Sequence, residues 1–128
     1  MTMERLIEAL NASWSRDTAY RTDQKDWTSE KKETGQCTIT AMIVYDYFGG
    51  IIKRGTSKKY NLFHYWNEIG GEKIDLTFNQ FVGRKDDIIF TNVISKNKDA
   101  LLQIHNVRIR YELLKSKIEK YLAEHPAE

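Results

Sequence analysis

The sequence predicts an α+β fold: a central helix that opens on a cysteine, packed on an antiparallel sheet, with a long C-terminal helix. Three observations predict it. The run CTITAMIVYDYF, Cys37–Phe48, is apolar on nearly every side, as a helix buried all round would be. Two β-rich runs, NLFHYWNEI and EKIDLT, flank Gly70-Gly71, a hairpin signal. Beyond Lys98, Leu101, Ile104, Tyr111, Leu114, Ile118 and Leu122 recur at helical steps.

Met3–Ala12 carries Leu6, Ile7 and Leu10 at the spacing of a short amphipathic helix. The stretch from Trp14 to Glu33 is polar and aperiodic except for Trp14, Tyr20 and Trp27, which marks a loop packed onto the body and able to cover a site. After the cysteine helix, Gly49-Gly50 supplies the left-handed conformation common just past a helix end. IIKR is then a strand, FNQF one turn of helix and DDIIFTNVI a further strand. From about Lys98 to His125 one long helix is expected. Its face opposite the apolar stripe bears Arg108, Arg110, Lys115, Lys117 and Lys120, read as a solvated surface.

At 128 residues the chain is expected to form one domain, 1–128. With 20 Lys+Arg against 18 Asp+Glu, no nucleic-acid or membrane partner is called for. One cysteine excludes an internal disulfide, and no Cys or His cluster has metal-ligand spacing, so neither metal nor cofactor is expected. MTMERLIEAL has acids within its apolar stretch, unlike a secretory signal, and no segment approaches the ~18 apolar residues of a membrane span. The expectation is a cytoplasmic protein with a reduced thiol.

The chemistry centres on that thiol. At the first turn of a buried helix, unpaired N–H groups place about half a positive charge beside the sulfur, which favours thiolate. The Cys37 N–H is itself a candidate oxyanion donor. If Gly70-Gly71 is a two-residue turn, Ile69 pairs with Glu72, Trp66 lies opposite Asp75 and His64 opposite Thr77. Leu62, His64, Trp66, Asp75 and Thr77 then share a face, and His64 and Asp75 are diagonal neighbours with Cα atoms ~7–8 Å apart. A three-residue loop would put them on opposite faces.

The stretches WSRDTAY, GQC, DYFGG, HYWN and IDLT with its trailing NQF resemble the small bacterial YunG-like family, from about Trp14 to Phe81. GQCTITAMIVYDYFGGIIKRG followed by HYWNEIGGEKIDLT also looks like the core of papain-like and transglutaminase-like enzymes, in which Cys opens a central helix and His and Asp lie on successive strands. The resemblance implies Cys37 as nucleophile, His64 as general base and Asp75 as the group that orients it. Gln36 and Gln24 are further candidates for an oxyanion donor.

Three readings follow. The first is a cysteine-dependent acyl-transfer enzyme that hydrolyses or transfers at a peptide, isopeptide or other amide bond, with an amide-containing or protein substrate. The second keeps the fold as an inactive binding module, favoured by the limited substrate-binding surface of a short chain. The third is an interaction protein that pairs through the stripe of its last helix, so that the expected state is a monomer or a weak homodimer.

Overall fold

The computed structural model describes residues 1–127. Helix α1, Met3–Ser13, buries Leu6, Ala9, Leu10 and Ser13 along one side. The Thr2 hydroxyl caps it, accepting the Arg5 N–H at 3.2 Å. The polar stretch that follows is built from two short 3-10 turns, Arg16–Thr18 and Arg21–Asp26. Its aromatics serve different ends. Trp14 is buried and its indole N–H donates to Thr40 Oγ1 at 2.9 Å, while Trp27 N–H donates to the Lys32 carbonyl at 3.0 Å. Tyr20, between these two anchors, is exposed.

Helix α2 spans Cys37–Phe48 and buries every residue from Ile39 to Val44, which places it at the centre of the fold. Its burial is not complete, however. Tyr45 and Tyr47 in the last turn are exposed, because the helix runs past the end of the core there. At Gly50, with φ of 80°, a Cβ would stand 2.4 Å from the Glu68 carbonyl oxygen, so the chain enters the sheet through a gap that only glycine fits.

Four strands form one antiparallel sheet in the order β3-β2-β1-β4: β1 Ile51–Ser57, β2 Leu62–Ile69, β3 Glu72–Ile74 and β4 Thr91–Lys96. Ile69 pairs with Glu72 and Asn67 with Ile74, the register of a two-residue turn. Gly70 and Gly71 both have positive φ, 58° and 82°, as a type I′ turn requires. Alternation along β2 divides its side chains between two faces. Tyr65 and Ile69 pack with Ile52 into the core shared with α2, and Asn67 Nδ2 donates to the Ala41 carbonyl at 2.9 Å. His64 and Trp66 project to the other face, where Phe81 and Phe90 meet them.

Two expectations are corrected in the second half of the chain. The strand expected over DDIIFTNVI begins only at Thr91. Before it, Tyr60 OH donates to Asp87 at 2.6 Å, Lys59 pairs with the same carboxylate and Ile88 is buried. These contacts hold the segment in a turn. The C-terminal piece is two helices, α3 Lys98–Leu102 and α4 His105–Glu124, rather than one. Asn97 caps α3 by accepting the Ala100 N–H at 3.1 Å, and Leu101 anchors that helix in the core. Ile104 is 51% exposed at the break instead of joining the stripe. The buried side of α4 is Val107, Arg110, Tyr111, Leu114 and Ile118. Tyr111 and Lys98 both bond the Asp46 carboxylate, which ties the end of α2 to α3 and α4. Among the described residues no helix is long and apolar enough to cross a membrane.

Candidate active site

Cys37 is the first residue of α2 and is half-buried at the wall of a cavity of about 770 Å³. Glycine at position 35, with φ of 73°, brings the chain into the helix: a Cβ there would lie 2.9 Å from both the Tyr20 nitrogen and the Asp23 Cβ. Among the described residues the Cys37 N–H has no hydrogen-bond partner, as expected for the first position of a helix. The helix start thus presents the sulfur and a free backbone donor side by side.

His64 sits on β2 opposite Gly55 of β1 and is wholly buried. A Cβ on Gly55 would come within 2.7 Å of the Trp66 ring and of Phe90 Cβ, so the bare glycine leaves room for the aromatic wall around the imidazole. Phe90 stacks on that ring at 5.1 Å between centroids and Phe81 meets it edge-on at 4.8 Å. These contacts fix the ring plane.

His64 Nε2 lies 2.7 Å from Asp75 Oδ2. Asp75 comes one residue after β3, and its second oxygen accepts the Thr77 N–H at 3.3 Å. The two-residue turn therefore brings imidazole and carboxylate together. The other ring nitrogen, Nδ1, is buried and has no partner in hydrogen-bond geometry. With Nε2 engaged by Asp75, Nδ1 is the nitrogen left for the sulfur. The thiol is near enough for sulfur and ring to act on each other's charge.

The electrostatics of the pair are mutual. Burial, the largest single influence on His64, disfavours its cation. The Asp75 hydrogen bond and the neighbouring Cys37 sulfur outweigh it and push the imidazole up to about 9. Burial likewise disfavours the Cys37 thiolate, but the His64 ring, the Tyr65 N–H and the Thr38 hydroxyl bring the thiol below its ordinary value. The arrangement favours a thiolate–imidazolium pair.

The two glutamines considered as oxyanion donors each spend one amide N–H on a backbone carbonyl. Gln36 is fully buried and its amide nitrogen donates to the Ser15 carbonyl at 3.0 Å. Gln24 donates to the Ala19 carbonyl at 3.2 Å. A third glutamine, which sequence reasoning did not single out, holds the site's two loops together. Gln80 accepts the Gly35 N–H at 3.4 Å and donates to the Thr77 carbonyl and hydroxyl at 3.1 and 3.2 Å.

Arg110 was the other omission. It is 4% exposed and lines the same cavity, where a solvated cation was expected. Its place three residues after Val107 and four before Leu114 sets it on the buried side of α4, a signal present in the spacing but masked by its charge. Among the described residues no group of three or more His, Cys, Asp or Glu is placed to hold a metal ion.

Comparison with known proteins bears out the resemblance to the YunG-like family. The family described as YunG protein matches residues 2–123. The chain is 29% identical over 109 residues to "Uncharacterized protein YunG" of Bacillus subtilis (strain 168), across 85% of this chain and 86% of that relative. No solved structure matches it. With nearly its whole length inside the match, the chain belongs to the YunG family.

Proposed function

We propose that this protein is a cysteine-dependent acyl-transfer enzyme of papain-like or transglutaminase-like architecture, acting on a peptide, isopeptide or other amide bond. Cys37 is the nucleophile, His64 the acid-base group and Asp75 the residue that orients it. The observation that carries the reading is the bond between His64 Nε2 and Asp75 at 2.7 Å, which leaves Nδ1 unpartnered beside a thiol at a helix start. In this reaction the thiolate attacks the carbonyl carbon, forming the C–S bond. The Cys37 N–H stabilises the developing oxyanion. His64 Nδ1–H then protonates the leaving nitrogen as the C–N bond breaks. Water, or an acceptor amine, attacks the thioester while Nδ1 takes its proton, which releases the acyl product and restores the thiolate.

The test is labelling by a thiol-directed peptide aldehyde. Cys37→Ser keeps the fold, read by circular dichroism, and abolishes labelling; labelling that persists in this variant discards the proposal. A second reading, an inactive binding module on the same fold, draws on the bonds of Gln36 and Gln24 to backbone carbonyls, which hold one N–H of each amide away from an oxyanion. Titration of the thiol separates the two: a strongly depressed pKa supports catalysis, and that of a free or buried thiol supports binding.

A further inference from the structure

The cavity beside Cys37 contains a buried cation with no carboxylate bonded to it among the described residues. Arg110 Nε donates to Asn106 Oδ1 at 2.8 Å and Nη1 to the Thr18 carbonyl at 3.2 Å. No partner within the chain occupies Nη2 among the described residues, and no carboxylate lies within ion-pair distance. Such a guanidinium is costly to bury unpaired. Its two engaged nitrogens fix the fork in place, and the Tyr20 ring lies 5.6 Å from its central carbon. The Cys37 sulfur is the strongest of the charges that favour the Arg110 cation, ahead of Asp23, and neither bonds it among the described residues.

We infer that Arg110 forms an anion subsite next to Cys37, and that the amide substrate carries a free carboxylate close to its acyl carbon. The inference rests on the proposed role of Cys37 and adds a substrate class to it. Arg110 is already under the influence of charge on the Cys37 sulfur, so both groups bear on one small region of the cavity. A guanidinium with free N–H donors binds a carboxylate in a directional way that an ammonium does not. Arg84 and Lys31 line the same cavity with Arg110, as do the acids Asp23 and Asp26.

The experiment compares alkylation of Cys37 in the full chain by iodoacetamide and by iodoacetate, reagents of similar size of which only the second carries a carboxylate. Iodoacetamide alone reads the thiolate; the ratio of iodoacetate to iodoacetamide rates reads the subsite. One charge-assisted hydrogen bond corresponds to about tenfold, so the ratio is expected about tenfold above that of free cysteine at the same pH and ionic strength. In Arg110→Gln the ratio falls about tenfold, and taking the ratio cancels any change in thiolate population that loss of the nearby cation brings. A parent ratio no higher than that of free cysteine overturns the subsite. So does a raised ratio that survives Arg110→Gln, since the His64 imidazolium then accounts for it. If Arg110→Gln does not fold, the parent protein is treated with sodium acetate against sodium chloride at equal ionic strength. Acetate is expected to slow iodoacetate selectively, and equal slowing by both salts overturns the inference. An iodoacetamide rate no faster than that of free cysteine at pH 6 counts against the nucleophile instead, while the ratio still reads the subsite.

Discussion

Replacing Asp75 by asparagine keeps an oxygen able to accept from His64 Nε2 but removes the charge that holds the ring as a cation. His64 stands at about 9 against an ordinary 6.5, a difference of about 2.5 units. At 1.36 kcal/mol per unit this is about 3 kcal/mol in favour of imidazolium, an order-of-magnitude figure shared between Asp75 and Cys37. Without the carboxylate, the lowering effect of burial is opposed only by the sulfur, and His64 is expected to fall. Cys37 then loses its imidazolium, and its thiol pKa rises. The assay is the rate of Cys37 alkylation by iodoacetamide from pH 5 to 10. Asp75→Asn should be slower at pH 6 by about tenfold or more, the worth of one charge-assisted hydrogen bond to the ring, and should approach the parent rate near pH 10. The linked stability has a definite sign. A raised histidine contributes fully below its unfolded pKa near 6.5, and that contribution is lost as pH rises through about 9. Urea unfolding of the two proteins in a Cys37→Ala background, where the thiol no longer titrates, should therefore differ most near pH 6 and converge above pH 9. Superimposable alkylation profiles would refute the assigned roles of both residues.

Two further outcomes test the frame around the site. Gly55→Ala places a methyl 2.7 Å from the Trp66 ring and Phe90 Cβ, and should cost about 1–3 kcal/mol in urea unfolding while moving the indole's fluorescence; an unchanged midpoint would show that the aromatic wall yields freely. Trp14→Phe leaves the buried Thr40 hydroxyl without its 2.9 Å donor and should cost about 1–3 kcal/mol with Cys37 alkylation preserved; a large loss of alkylation would mean that the loop anchor governs the thiol.

Much of this arrangement was readable from local pattern. The bounds of α2 follow from its unbroken apolar run and the glycines that stop it, and the hairpin register follows from a turn whose two residues both tolerate positive φ. That register alone puts His64 within reach of Asp75. What escaped was set by contacts distant in sequence. The start of β4 depends on Lys59 and Tyr60 capturing Asp87, and the identities at 86–89 carry no trace of those partners. Arg110 was misplaced because a charged side chain usually ends in water, whereas here its stem lies along the buried side of α4 and its head reaches a cavity. Gln80 gave no signal, since its value lies in joining a turn after Asp75 to a loop 45 residues earlier.

The grip of Gln80 divides the second half of the chain into a part whose length matters and a part whose length is free. Between Asp75 and Gln80 an added residue would pull the carboxylate away from the loop that delivers the sulfur, because one amide spans both. From Val82 to Ile89 no hydrogen bond runs to Cys37, His64 or Asp75 among the described residues, and insertions there should disturb the cavity rim and the hold of Lys59 and Tyr60 on Asp87 before they part nucleophile from base.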